Sequence, residues 1–177
     1  MDKTNSIYLQ NKACCLRRAN KLEDSLRYFK KALKFDQKNP QIFSNLGTVL
    51  RKLERFEEAA EAYTNQLLLN PGEIKALNNR AYCMAKLERY NESCEDYTEV
   101  LELTGFDVHA IHNRGICRQR LGQFKEAISD FGSLIEYDRN NISAYFNRGC
   151  CYDRIGILDL AIVDYSTALE IETKLKV

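Results

Sequence analysis

At 177 residues the chain is long enough for one domain or one continuous array, and 45% apolar with 29% charged residues is the composition of a folded protein. Its 26 basic and 25 acidic residues leave a formal charge of +1, which excludes a global field for nucleic acid or an anionic membrane and makes any electrostatic preference local. No apolar run approaches the roughly 20 residues that span a bilayer. The opening MDKTNSIYLQ lacks the apolar stretch of a secretory leader, so a cytoplasmic protein is expected. Seven cysteines include two adjacent pairs, Cys14-Cys15 and Cys150-Cys151, but no Cys-x-x-Cys spacing, which argues against a disulfide framework or a zinc site. Two prolines and eight glycines are too few to punctuate a turn-rich β protein. The expected class is all-α.

Shifting the sequence by 34 residues aligns it with itself in five ungapped units, Ser6–Asn39, Pro40–Glu73, Ile74–Asp107, Val108–Asn141 and Ile142–Leu175. Each reads as a helix-turn-helix, and together they predict a single array over 1–177. The first unit places Leu9 and Ala13 in its first helix, Asn20 at the turn, and Ser25, Phe29 and Leu33 in its second. The second opens on Asn39-Pro40, an N-cap followed by proline in the first turn, and closes on Asn70-Pro71. Its pattern residues are Phe43 and Gly47, then Ala59, Tyr63 and Leu67. The third carries Leu77 and Ala81, then Ser93, Tyr97 and Leu101. In the fourth, Ile111 and Gly115 precede Gly122, and Ala127, Phe131 and Ile135 follow. The fifth repeats this with Tyr145, Gly149, Gly156, Ala161, Tyr165 and Leu169. A small residue fixed in each helix lets two backbones approach, and the aromatic four residues after the second one should fill the space between them. Asn20, Gly122 and Gly156 suit the left-handed conformation that ends a helix.

The pattern, as in NRGICRQRLGQFKEAISDF and NRGCCYDRIGILDLAIVDY, resembles the tetratricopeptide repeat. Two features depart from it. The family's early tryptophan is replaced by residues such as Phe43 and Tyr145, and its late proline survives only as Pro71. The resemblance implies a right-handed α-solenoid of ten helices whose first helices line a concave groove that binds peptides.

Two residues before the small residue, every first helix carries an asparagine: Asn11, Asn45, Asn79, Asn113 and Asn147. Helix propensity does not select asparagine there, whereas its amide can donate to and accept from an extended peptide backbone. The position is similar to the asparagine ladder in the repeat region of the O-linked N-acetylglucosamine transferases, which implies peptide binding. The competing reading is that each asparagine braces the neighbouring first helix. Seven residues further on stands a base in every unit, Arg18, Lys52, Lys86, Arg120 and Arg154, on the asparagine face two turns along. With Lys75 these form a basic stripe for ligand, or simply a solvated face. His109 and His112 share a helical face without an obvious third ligand, so His112 is assigned to the groove surface rather than to a metal.

A carboxylate clamp for chaperone tails would need bases and asparagines where Gln10, Cys14 and Asn79 stand, and is disfavoured. Arg80, Arg114 and Arg148 occur only in units that also carry Asp96, Asp130 and Asp164 sixteen residues later, which predicts an ion pair inside each of those repeats. Cys15, Cys83, Cys117 and Cys151 recur two residues beyond the small residue and are predicted to be core. No phosphate loop, nucleophile elbow or metal motif occurs, and no paired acids stand outside solvated helix faces, so no catalytic residue, metal or cofactor is expected and the chain is not predicted to be an enzyme. The partner expected is a protein or peptide, with neither nucleic acid nor membrane. The chain would then serve as a scaffold or adaptor, or as the substrate-recognition region of a larger enzyme such as a glycosyltransferase. Apolar Leu160, Ile162, Leu169 and Ile171 in the last helix predict a longer array or self-association through that end.

Overall fold

A computed structural model describes residues 3–175. Among them are ten α-helices and no strand, two helices from each predicted repeat. In chain order they are α1 (Lys3–Arg18), α2 (Leu22–Phe35), α3 (Pro40–Lys52), α4 (Phe56–Leu69) and α5 (Ile74–Lys86), then α6 (Tyr90–Thr104), α7 (Val108–Arg120), α8 (Phe124–Tyr137), α9 (Ile142–Arg154) and α10 (Leu158–Lys174). None of the described helices is long and apolar enough to cross a membrane. Two compact units meet between Arg89 and Tyr90, so α1–α5 belong to one and α6–α10 to the other.

The helix boundaries repeat because the same backbone groups need partners every 34 residues. Asn39, Glu73, Asp107 and Asn141 cap α3, α5, α7 and α9, each accepting a backbone N–H from the first turn, of Gln41, Ala76, Ala110 and Ala144 respectively. At the far end of every first helix the chain turns through one left-handed residue. Asn20, Gly122 and Gly156 adopt it as expected, with φ of 57°, 75° and 79°. Glu54 and Glu88 adopt it too, at 58° and 60°, where sequence offered no sign of it. The reason is the hydrogen-bond closure that follows. Lys21, Arg55, Arg89, Gln123 and Ile157 each donate to the carbonyl five residues back, satisfying an orphan acceptor that no other conformation would reach.

Packing inside a repeat rests on the small residue of the first helix. A Cβ on Gly47 would come within 2.7 Å of the Tyr63 ring, on Gly115 within 2.9 Å of Phe131, and on Gly149 within 3.0 Å of Tyr165. The glycine is therefore the seat of its own repeat's aromatic. In the first repeat Ala13 and Phe29 are both fully buried. Packing between repeats uses the position two residues beyond. Cys83 joins Ala59, Ala60 and Tyr63 in the first unit's core, while Cys117 Sγ lies 3.3 Å from Ser93 Oγ of the preceding repeat. Cys151 is buried with Phe131 and Leu134. The fourth member of this set corrects the expectation, because Cys15 is exposed. Its position faces the second helix of a preceding repeat, and no described helix precedes α1. In the last repeat Leu160, Ile162 and Leu169 are exposed, whereas Ile135, one repeat before Leu169, is buried.

Candidate functional site

Asparagine and base recur on the first helices, but their surroundings differ from repeat to repeat. Asn11 is exposed on α1; Asn45, Asn79, Asn113 and Asn147 are half-buried on α3, α5, α7 and α9. Asn45 Nδ2 donates to the Gln41 carbonyl at 2.9 Å and Asn147 Nδ2 to that of Ser143 at 2.8 Å, one turn back in each case. These bonds hold the amide against its own helix. Lys52, Lys75, Lys86 and Arg120 are all exposed. His112 is half-buried, edge-on to Phe131 with ring centroids 6.1 Å apart. Burial, and secondarily the charge of His109, lowers its pKa below the usual 6.5. No group of three or more His, Cys, Asp or Glu that could hold a metal occurs among the described residues.

In the second unit the structure gathers Arg120, Asn147 and Arg154 around one cleft of about 360 Å³ between α7 and α9. Ile116, Phe124 and Phe146 form its apolar wall, with Gln119 and Cys150 beside them. Phe146 and Asn147 also line a second cavity of about 570 Å³, closed by Ile142, Tyr165 and Leu169. Phe146, 54% exposed, is thus a ridge between two hollows. Sequence reasoning passed over Phe146, Gln119 and Cys150, because a hollow is a lack of bulk and leaves no motif.

The equivalent place in the first unit is filled. Tyr82, two repeats before Cys150, takes Phe56 edge-on at 6.2 Å, with Arg51 and Lys86 at 5.3 and 5.5 Å from its ring. Comparing residues 82 and 150 in the 34-residue register is the signal that could have located the cleft.

The arginines expected to be structural are so in the second unit. Arg114 grips Asp130 through Nε and Nη2 at 3.2 and 2.7 Å, and Arg148 grips Asp164 through the same pair of atoms at 2.8 Å each. Arg118, which sequence reasoning did not pick out, adds a bond of 2.7 Å to Asp130. Arg80 and Asp96 fall in different units; within its own, Arg80 donates to Thr64 Oγ1 at 3.4 Å. These side chains order the helix pairs and leave Arg120 and Arg154 as the cations of the cleft.

Family models described as tetratricopeptide repeat match residues 11–74, 44–107, 108–141 and 142–174. The chain belongs to the tetratricopeptide repeat family. No curated protein matches it by sequence. Among solved structures, a MamA protein aligns with 96% of this repeat protein and 93% of its own chain at a TM-score of 0.91 and 20% identity. MamA from Desulfovibrio magneticus RS-1 covers 98% and 97% at 0.89 and 19%. YrrB, described as a TPR protein with an unusual peptide-binding site, covers 97% and 89% at 0.88 and 24%. At these identities the likeness concerns the fold, a helical solenoid of tetratricopeptide repeats.

Proposed function

We propose that this repeat protein is an interaction module that holds an extended segment of a partner polypeptide along the face of its first helices, with the asparagines reading main chain. The observation that carries this is the position of Asn147 in the wall of the cleft of about 360 Å³ between α7 and α9, a hollow of ligand-accommodating size. Its amide nitrogen is tied to Ser143, which orients the side chain and leaves the amide oxygen able to accept from a peptide N–H. The hydrogen bonds of Asn45 and Asn147 run to their own helices rather than to a neighbouring first helix, which favours ligand over bracing. The peptide-binding description of YrrB, a relative in fold, points the same way. An asparagine ladder like that of the O-linked N-acetylglucosamine transferases fits this reading and calls for no catalytic group in the chain itself.

The test replaces Asn113 and Asn147 together with alanine and compares peptide selection from a degenerate ten-residue library with that of the unmodified chain. At a net hydrogen-bond gain of about 1 kcal/mol each, affinity should fall about thirtyfold. Helicity and melting temperature should hold, since alanine is the better helix former. Unchanged selection by a folded double variant would remove the ladder from the binding reaction.

A further inference from the structure

We propose that the second unit selects an acidic side chain within an extended segment, with Arg120 and Arg154 reading the carboxylate. This rests on the groove reading above and names its specificity. Arg120 and Arg154 line the same cleft, both are exposed, and neither has an ion-pair or hydrogen-bond partner among the described residues. Arg114, Arg118 and Arg148 on the same two helices are all paired with Asp130 or Asp164. No acidic residue lines the cleft. Two unpaired guanidinium groups across one hollow repel each other, and an anion between them turns that repulsion into two attractions. The planar, forked guanidinium suits a carboxylate in particular.

Asn147 lines the same cleft, and with its amide nitrogen tied to Ser143 its oxygen is left to accept from a peptide N–H. On the groove reading the segment continues past the cleft along the helix face that also carries Asn113, so the carboxylate is a side chain and not the peptide's terminus. In the first unit Tyr82 fills the corresponding place and engages Arg51 and Lys86 itself, so the acidic preference belongs to the second unit.

The experiment probes the full chain with the degenerate library, including members with phosphoserine and with free carboxyl termini. Four forms are compared: unmodified, Asn147→Ala, Arg120→Gln with Arg154→Gln, and Cys150→Tyr. The unmodified chain should enrich Asp or Glu at one position of the selected peptides. The double arginine variant should still select peptides, lose this acidic preference and bind the best acidic peptide about tenfold more weakly. Cys150→Tyr should weaken the acidic preference while leaving both arginines in place. Its melting temperature, and that of the double variant, verifies the fold. Peptide selection that depends on Asn147 but shows no acidic enrichment overturns this inference and leaves the groove reading standing. Enrichment of phosphoserine or of free carboxyl termini over Asp and Glu also overturns it. Failure to select any peptide, or selection indifferent to Asn147→Ala, overturns both.

Discussion

Arg148 and Asp164 pair through two hydrogen bonds of 2.8 Å, with the carboxylate buried. Breaking such a pair from one side strands a charge, so Arg148→Ala should cost about 3 kcal/mol by leaving the Asp164 carboxylate buried. Asp164→Ala should cost less, and the double variant less than the sum, with a coupling of at least about 0.5 kcal/mol in urea unfolding. Independent, additive losses would show that the two side chains do not act as a pair. The covariation of residues 114 and 148 with 130 and 164 made these pairs legible in sequence. Arg118 was not, since Met84 and Tyr152 stand at its place in the neighbouring repeats. His112 gives a second test at this scale. Its folded pKa is lowered, so near pH 6.5 the unfolded chain binds more protons, and stability is lost as pH falls through 6.5 and below. Urea midpoints at pH 7.5 and 5.5 should separate less in His112→Gln than in the unmodified chain.

At the level of the helices, boundaries and packing follow different kinds of signal. Asn39-Pro40 announced α3, and the periodic small residues and aromatics announced where each helix pair touches. Glu54 and Glu88 were hidden because their conformation is imposed by the closing hydrogen bonds and not by their own preference. A left-handed non-glycine residue costs about 1 kcal/mol, partly recovered from the smaller freedom of the unfolded chain. Glu54→Gly and Glu88→Gly should accordingly raise stability by up to about 1 kcal/mol each in chemical denaturation, whereas Glu57→Gly, inside α4, should lower it. The glycine seats bear the opposite sensitivity. Gly115→Val would drive methyl groups into the Phe131 ring, already 2.9 Å from a Cβ, and should destabilise by about 1–3 kcal/mol. Loss of protection should appear in α7 and α8 by hydrogen exchange. A stable Gly115→Val with unchanged protection would mean the ring has somewhere else to go.

Taken over the whole chain, the near-zero net charge is shared unevenly among the helices. Acids such as Glu57, Glu61, Glu95, Glu99 and Glu126 fall on α4, α6 and α8, while Lys52, Lys86, Arg120 and Arg154 end α3, α5, α7 and α9. Peptide binding that depends on exposed arginines should weaken as salt rises from 0.05 to 0.5 M, as the Debye length contracts from roughly 14 to 4 Å. The fold, resting on apolar seats and caps, should melt at nearly the same temperature across that range. The repeat class was readable because five copies of one pattern average away local ambiguity, and the family match over residues 11–174 agrees with it. The cleft was not, because it arises where one copy differs from another.

Tyr82 and Cys150 give that difference a use. The same scaffold position can be plugged from within by a ring or left open by a thiol, while Phe56 and Phe124, Lys52 and Arg120, Lys86 and Arg154 keep their places around it. On the proposed reading recognition in such a chain is addressable: a shortened side chain should open a slot and a lengthened one should close it, away from the seats that fold the helices. Tyr82→Cys, made alone, should confer a second acidic preference on the chain; made with Cys150→Tyr, it should move the preference without removing it.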